Sequence, residues 1–557
     1  MPAEGSADLI FTGGPAYLGG GRTGTGLAVT GGRISAVGAE RAAALVGPGT
    51  EVVDLAGRLL LPGFTDAHVH AVGGGVELDQ CHLGEATDAA EYPRLVGEYA
   101  GAHPGQPWVR GGGWSMEAFP GGIPTREPLD AVVADRPVFL VNRDHHGAWV
   151  NSRALRLAGI DRHTPDPADG RIERDADGEP NGMLQEGAAH LVGRLLPGLT
   201  AADRLAGLLR AQRLLHALGI TAWQDALLGD FNGMGDPGGA YLEAAGRGSL
   251  TARVTGALWW DRDRGAEQID ELADRRNLLD VPPLLRARTV KIMQDGVAEN
   301  HTAAMLEPYL TPCGCAGGGA GGGAGGGAGG NSGHSFVDPE ALAKYVAALD
   351  ALDFQVHFHA LGDRAVREAL DAVAAAREAN GDRGNRHHLA HLQVVHPDDV
   401  PRFAQLGAVA NIQPLWACHE PQMDELTIPF LGERRAGWQY PFGSLLAAGA
   451  RLAGGSDWPV SSPDPLWGIH TAVNRIAPGG PGPAFLPEQR LDLCSALDLY
   501  TAGSAFVTHA DDTGRLAVGN HADLVVLDRN PLGAPVGEIA DARVELTFVG
   551  GRCVFGR

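Results

Sequence analysis

Two histidines lie one residue apart at the end of an apolar segment, in the stretch FTDAHVHAVGGG (64–75). On a β-strand, residues two apart point to the same face, so the imidazoles of His68 and His70 would project together. A pair placed in this way could share a metal ion. It could equally be two polar residues where a strand reaches the surface, and the other strand ends of the chain discriminate between the two.

Further residues that bind metals or move protons lie on or just after other strand-like segments. They are Lys291 with Asp295, His357 with His359, His388 with His391, and Asp457. With the first pair, five of eight candidate strands deliver such a residue. Histidines and carboxylates with open coordination positions are typical of a hydrolytic metal centre, and neutral imidazole suits zinc, nickel, iron or manganese.

The chemistry expected of such a centre is hydrolysis. A divalent ion lowers the pKa of a bound water toward about 7, so that hydroxide can attack a carbonyl at neutral pH. Asp457, after the last strand, would hold that hydroxide, take its proton and pass it to the departing nitrogen. By periodicity alone, His357 competes with His359 for the ion.

The elements that must position these residues alternate between strands and helices. Apolar segments predict eight strands, at 58–68, 219–226, 252–260, 287–296, 353–360, 388–395, 407–414 and 450–459. Stretches between the later strands have helical periodicity, for example 363–381, which is rich in Ala and Glu and ends on Gly. Eight strand–helix units predict an α/β fold with a closed (β/α)8 TIM barrel, whose active site lies at the C-terminal strand ends.

Segments at the two ends of the chain resemble each other. LAVTGGRISAVG (27–38) and LTFVGGRCVFG (546–556) each place two short apolar runs around Gly-Gly-Arg, which indicates a tight hairpin. We therefore expect a small β-sandwich domain built from both termini, residues 1–57 and 506–557.

The gap between the first two barrel strands, about 150 residues, is too long for a simple crossover. We assign 58–75 to the first barrel strand, 76–215 to an inserted subdomain that could cover the barrel mouth, and 216–505 to the remainder of the barrel. Within that remainder, the Gly/Ala repeat at 316–333 cannot bury enough apolar surface to offset its ordering entropy, which predicts a flexible insertion. Cys313 and Cys315 flank it, and incidental thiols are favoured over a metal site there because two thiolates alone make a poor one.

Charge and composition limit the classes of partner that the protein can bind. The formal net charge of −23 at pH 7 argues against nucleic acid and gives no basic anchor for an anionic membrane surface. The sequence shows neither a signal peptide nor a membrane span, and six cysteines in 557 residues do not make a disulfide framework. We expect a cytoplasmic protein that acts on a small molecule, and homo-oligomer formation is left open.

Several motifs in this order carry a family resemblance: LPGFTDAHVH, HFHALGDRAV, LAHLQVV, GGSDWPV and HADLVVLDRNP. Together they resemble the amidohydrolase superfamily, and GGGW, PTREPLD and HGAWVNSRAL are similar to its branch that includes N-substituted formamide deformylases. The resemblance covers nearly the whole chain apart from the Gly/Ala repeat. It implies a metal-dependent hydrolase of a C–N bond.

The resemblance also implies which residues hold the metal. These are His68, His70, His359, His391 and Asp457, with Asp457 as catalytic acid–base as well. An ammonium cannot coordinate a metal. Relatives commonly carry a lysine at the place of Lys291 that has become a carbamate, which implies a bridging ligand there and one or two divalent ions, with zinc favoured. The alternative is a lysine paired with Asp295.

Two residues of the inserted region are candidates for substrate binding. Trp114 offers a flat apolar surface with one donor, and His146 a polar contact. A packed indole and a capped loop histidine are the competing interpretations. Relatives often have an acidic residue directly after this tryptophan, whereas here Ser115 and Met116 precede Glu117.

Three functions of different classes fit these residues. The leading one is hydrolysis of an amide or N-substituted formamide. The same centre could instead act on an ester, a lactone or a heterocycle, since fold and metal do not fix the substrate. A non-catalytic scaffold is disfavoured because every inferred ligand position is filled.

Overall fold

The computed structural model describes residues 5–86, 88–230, 235–310 and 330–557. Cys313, Cys315 and most of the predicted flexible insertion (316–329 of 316–333) lie outside the described residues. Among the described residues, no helix combines the length and apolar character needed to cross a membrane.

The N-terminal region is mostly β-structure and leads into the first barrel strand. Its elements are β1 (Leu9–Gly19), β2 (Arg22–Thr30), β3 (Arg33–Val37), α1 (Ala39–Ala43), β4 (Glu51–Asp54), β5 (Leu60–Pro62) and β6 (Phe64–Val69).

The region that follows carries a second sheet and several helices. Its elements are α2 (Ala71–Glu77), β7 (Cys81–His82), α3 (Glu91–Ala102), β8 (Val109–Trp114), α4 (Glu127–Val132), β9 (Val138–Asn142), β10 (Gly147–Val150), α5 (Ser152–Ala158), β11 (Gly170–Arg174), β12 (Pro180–Glu186), α6 (Gly187–Gly193) and α7 (Ala201–Ala217). The strands pair in the order β11-β12-β10-β9-β8-β7.

Strands and helices then alternate to the end of the barrel. The elements are β13 (Ile220–Leu228), α8 (Gly238–Gly246), β14 (Arg253–Trp259), α9 (Ile269–Leu278), β15 (Leu285–Met293), α10 (Pro339–Ala351), β16 (Gln355–Ala360), α11 (Asp363–Asn380), β17 (His388–His391), α12 (Val400–Leu406), β18 (Val409–Ile412), α13 (Pro421–Leu426), α14 (Ile428–Ala436), α15 (Phe442–Ala447), β19 (Arg451–Gly454), α16 (Pro465–Asn474), α17 (Leu493–Asp498) and α18 (Ser504–Val507). The last strands are β20 (Leu524–Leu527), β21 (Val544–Val549) and β22 (Arg552–Gly556).

The eight predicted barrel strands are confirmed. They form one parallel sheet in the order β6-β13-β14-β15-β16-β17-β18-β19. The last strand meets the first just beyond its own end, where Asp457 N–H donates to His68 O (2.8 Å) and His70 N–H donates to Trp458 O (2.9 Å). The seam of the barrel therefore ties together the segments that carry the candidate metal ligands.

The helix predicted at 363–381 forms α11, and its sequence explains both its packing and its end. Ala365, Val366, Ala369 and Leu370 recur at helical spacing and are fully buried. Gly381 follows with φ 75°, a conformation that glycine adopts without steric cost.

The two ends of the chain join in one eight-stranded sheet, ordered β22-β21-β20-β5-β1-β2-β3, with β4 beside β1. Both Gly-Gly hairpins form, and their glycines have φ between 54° and 77°, as a type I′ turn requires. Phe11 of β1 meets Phe548 of β21 with ring centroids 5.3 Å apart. The sheet therefore folds over a shared core, as a β-sandwich does.

Candidate metal centre

The candidate ligands meet at the C-terminal end of the barrel, as the sequence predicts. His68 Nε2 lies 3.2 Å from Asp457 Oδ1, and His70 Nε2 lies 3.1 Å from the same oxygen. One ligand atom from each of these three residues lies within 4.8 Å of the others. His68 and Asp457 are buried. A divalent ion could be held by two imidazoles and one carboxylate at this place.

Polar groups inside the barrel hold His68 in position. Its Nδ1 lies 2.9 Å from His357 Nε2, and His357 in turn contacts the side chain of Gln224. The backbone N–H of His68 donates to Asp66 (3.0 Å). Because Nδ1 is engaged inside the barrel, Nε2 faces the Asp457 carboxylate.

His359 and His391 complete the ring of imidazoles. Their ring centroids are 4.5 Å apart, and that of His391 is 4.8 Å from His68. His359 Nδ1 lies 3.2 Å from Asp295 Oδ1, an orientation that leaves its other nitrogen for a ligand. The Nδ1 of His391 is buried and has no hydrogen-bond partner among the described residues, so this donor set fits a metal ion.

Two of the candidate ligands have a strained backbone. His391 has φ 77° and Asp457 has φ 57°, both in the left-handed region that residues with a side chain rarely occupy. Strain of this kind costs about 1–3 kcal/mol per residue and recurs at functional sites. The conformation aims both side chains into the cluster.

Protonation states at the centre favour metal binding. Burial is the main cause that lowers the pKa of His68, to about 3, and burial also lowers the pKa of His359 and His391 well below the usual value. Burial would raise the pKa of Asp457, but nearby His68 and hydrogen bonds from His68 and His70 hold it well below its usual range. Neutral imidazoles and an ionised carboxylate are the forms that bind divalent cations.

Lys291 lies directly beside His68. Its Nζ is 3.4 Å from His68 Nε2, and burial lowers its pKa to about 7. The alternative pairing with Asp295 does not form in the described part of the chain, since Asp295 accepts N–H groups from Leu361, Gly362 and Ala304. A buried amine in this position is placed to become a ligand only after its charge is removed.

His146 reaches the centre from the turn between β9 and β10. Its ring centroid lies 5.3 Å from that of His359, and its Nδ1 lies 3.0 Å from Glu186 Oε1. Burial lowers the pKa of His146, but the Glu186 carboxylate more than offsets this and raises it to about 9. Thr302 Oγ1 donates to Glu186 (2.7 Å) and fixes this carboxylate. The pair presents a cationic imidazole to the pocket.

Trp114 is placed differently from the sequence prediction. Its indole is fully buried, donates from Nε1 to Leu140 O (2.9 Å) and packs against Trp149 and Phe119. These residues belong to the core of the second sheet, and Trp114 is not among the residues that line the pocket at the metal centre. The prediction of a substrate contact is corrected because β8 turns this side chain inward.

We expect Trp114→Phe to change stability and leave catalysis intact. The substitution leaves Leu140 O without its buried donor and removes part of the packed indole, which should lower the free energy of unfolding by about 2 kcal/mol. Urea unfolding measures that loss, and kcat/KM should stay within about twofold of the parent. Unchanged stability together with a large drop in kcat/KM would show that Trp114 contacts the substrate after all.

Sequence reasoning missed Glu186 and Asp66, and it named Asp295 only as a candidate at a strand end or as a partner of Lys291. Glu186 ends β12 and Asp295 follows β15, and each anchors a pocket histidine. Asp66 stands in the motif FTDAHVH on β6. Its role depends on the turn after β19, where Ser456 N–H donates to the Asp66 carboxylate (3.0 Å). Such partners come from segments that are distant in the sequence, so only the folded structure shows which residues contact each other.

The pocket above the centre has two lobes that share His146, His359, His391 and Asp457. We name the first the apolar lobe; its cavity volume is about 130 Å³, and its walls include Val72, Ala189, Leu227, Trp259 and Met293. We name the second the acceptor lobe; its cavity volume is about 740 Å³, and its walls include Glu299, Gln393, Trp416, Glu420 and Tyr440.

Known proteins resemble this chain over most of its length. Protein LONG AFTER FAR-RED 3 of Arabidopsis thaliana is 31% identical over 100% of this chain and 92% of its own length. N-substituted formamide deformylase of Arthrobacter pascens is 28% identical over 94% of this chain and 93% of its own length. The crystal structure of an uncharacterized metal-dependent hydrolase from Pyrococcus furiosus superposes with a TM-score of 0.69 and 27% identity, covering 94% of this chain and 99% of that one.

The family comparison agrees with the motifs and the barrel. The model of the amidohydrolase family matches residues 51–555, which include every candidate metal ligand. The resemblance inferred from the sequence is confirmed. This protein belongs to the amidohydrolase family.

Proposed function

We propose that this protein is a metal-dependent hydrolase that cleaves the C–N bond of an amide or N-substituted formamide. The observation that carries the proposal is the convergence of His68, His70 and Asp457 within 4.8 Å at the open end of the barrel. Family membership supports hydrolysis, and the deformylase relative supports an amide-type bond.

A divalent ion, for which we favour zinc, would supply the Lewis acidity that makes water nucleophilic near neutral pH. His68, His70, His359, His391 and Asp457 would hold it. The second carboxylate oxygen of Asp457 would accept a proton from the attacking water. As the new C–O bond forms and the C–N bond breaks, Asp457 would return that proton to the leaving nitrogen, giving a carboxylic acid and an amine.

His146 would act on the substrate carbonyl. With Nδ1–H donated to Glu186, the other ring nitrogen of the cationic imidazole is a donor in the wall that both lobes share. A donor there would stabilise negative charge that develops on the carbonyl oxygen. Glu186 would keep the imidazole in the orientation and protonation state that this requires.

An activity panel on the metal-loaded protein tests the proposal. N-alkyl formamides and N-alkyl amides should be hydrolysed with kcat/KM at least about tenfold above that of p-nitrophenyl esters, lactones and amino-heterocycles. Release of the amine, followed by reaction with a fluorogenic reagent, measures the rate. If an ester or a heterocycle is turned over faster, the proposed C–N bond of an amide is wrong and the faster substrate identifies the bond that is cleaved.

We also propose that the uncharged amine of Lys291 adds CO2 and releases a proton, which gives a carbamate that would be able to bridge two divalent ions. Its buried position beside His68 supports this role, because a carbamate would bring a negative charge to a ring of neutral imidazoles. Protein exchanged into ¹³C-bicarbonate should show one carbamate carbon resonance, which Lys291→Met removes. Lys344→Met, on the outer helix α10, is the control and should keep the resonance. An unchanged spectrum in Lys291→Met would contradict the bridge.

A further inference from the structure

We infer that the acceptor lobe is a subsite for an ammonium group, so that the substrate carries an amine-bearing arm on one side of the scissile bond and an apolar arm on the other. This inference rests on the proposed function and narrows its substrate class.

The position of the candidate ligands favours a substrate with two arms. The candidate ligands His359, His391 and Asp457 line both lobes, so the scissile bond would lie where the lobes join. A formamide has a hydrogen atom on one side of its carbonyl and would fill one lobe only. The acceptor lobe alone has a volume of about 740 Å³, within the range of a binding site for an organic group.

The acceptor lobe contains hydrogen-bond acceptors with unused capacity. Gln393 is 1% exposed, and its Oε1 is buried without a hydrogen-bond partner among the described residues. Its Nε2 donates to Glu299 Oε1 (3.2 Å), which also accepts from Thr427 Oγ1 (3.0 Å). An unpaired buried acceptor beside a carboxylate indicates a missing donor.

Glu299 lacks a cation. In the described ranges no Lys, Arg or His lies within ion-pair distance of its carboxylate, whereas the nearby Glu420 is 3.7 Å from Arg143. Burial, and next Asp144, raise the pKa of Glu299. An ammonium group of a ligand would supply the cation that the Glu299 carboxylate lacks, and it would donate a hydrogen bond to the unpaired Gln393 Oε1.

Aromatic rings in the same wall favour a cation further. Trp416 stacks on His391 at a centroid distance of 5.3 Å, and Tyr440 and Trp467 also line the acceptor lobe. The faces of such rings attract ammonium groups. An anionic arm would instead meet Glu299, Glu420 and Asp144. Arg143 lines the same lobe, but it already pairs with Glu117 and Glu420.

The apolar lobe is suited to an alkyl or aryl arm, and three charged side chains that line this lobe alone already have partners. Arg262 pairs with Asp169, Glu77 lies 3.5 Å from His145, and Asp225 accepts from Tyr241. The remaining wall is largely apolar. Each methylene of an arm that enters this lobe should raise kcat/KM by about twofold to fourfold until the lobe is filled.

Matched amides test the ammonium subsite on the metal-loaded protein. N-hexyl-4-aminobutanamide is compared with its uncharged isostere N-hexylpentanamide, and N-(4-aminobutyl)hexanamide with N-pentylhexanamide, so that either orientation is covered. In at least one pair the ammonium compound should have a kcat/KM about tenfold higher or more, the size of a charge-assisted contact. N-hexylsuccinamate, with a carboxylate on the arm, should be the poorest substrate.

A variant connects the preference to its cause. In Glu299→Gln the ratio of kcat/KM between ammonium compound and isostere should fall toward one, whereas Glu307→Gln, which breaks an exposed ion pair with Arg434, should keep the ratio of the parent. Equal ratios in the parent and Glu299→Gln would overturn the subsite, as would N-hexylformamide being the best substrate.

Calorimetric binding separates this inference from the proposed function. If none of the amides is hydrolysed, the proposed function fails, and titration of the metal-loaded protein with each pair still decides the subsite. The ammonium compound should bind about tenfold more tightly than its isostere. Equal dissociation constants would overturn the subsite whatever the reaction.

Discussion

Replacing Asp457 by asparagine is expected to lower kcat by about 10³-fold or more, with little change in the fold. Asparagine has the same shape and can still occupy the strained position at φ 57°. It cannot, however, accept a proton from water and return it to nitrogen. The effect should be in kcat rather than KM, because the lost interaction is with the reacting proton.

Three measurements distinguish lost chemistry from lost structure in Asp457→Asn. The melting temperature should stay within a few degrees of the parent, and metal analysis should show much of the ion retained by His68 and His70. Asp512→Asn, which alters an exposed ion pair with Arg33, serves as the matched control and should keep full activity. If Asp457→Asn retains activity within about tenfold of the parent, the acid–base role belongs to another residue.

The sequence was sufficient to predict the barrel and the rim on which the candidate ligands lie. Apolar runs located all eight strands, and the position of a residue at a strand end predicts the rim on which it lies. His68, His70 and Asp457 are brought together as expected. Their spacing along the chain is large, but parallel strands carry them to one edge.

Choices within one strand were harder to make. His357 and His359 share a face of β16, and periodicity cannot tell depth along the barrel axis. In the structure His357 contacts the Nδ1 of His68 inside the barrel, whereas His359 lies beside His146 at the pocket. The motif resemblance favoured His359 for the ion, which agrees with this depth, although the ligand set itself stays a prediction.

The inserted region shows where sequence reasoning fails. Trp114 and His146 were equal candidates by residue type, yet one packs in a core and the other reaches the pocket. That difference depends on the pairing of β8, β9 and β10, which sets the direction of each side chain. The Glu186 partner of His146 lies 40 positions away along the chain, and no periodic pattern relates them.

Removal of the metal is expected to abolish hydrolysis and to lower thermal stability. The free energy of unfolding should rise again by about 2.7 kcal/mol when an ion is added at a hundred times its dissociation constant, because the ion binds the folded state. Dialysis against dipicolinate gives the metal-free protein, and mass spectrometry of the metal measures the content. Zinc, cobalt and manganese are then added in turn, and the ion that restores kcat most fully identifies the metal.

Single ligand variants place the ion at this cluster rather than elsewhere. His70→Ala removes one of three ligand atoms that lie within 4.8 Å of one another, so we expect its metal content and activity to fall together. His396→Ala is the matched control, since this histidine lies beside Asp398 away from the cluster. Full activity with less than about half an equivalent of metal would show that the reaction does not depend on the ion, because a bound ion should be close to stoichiometric in active protein.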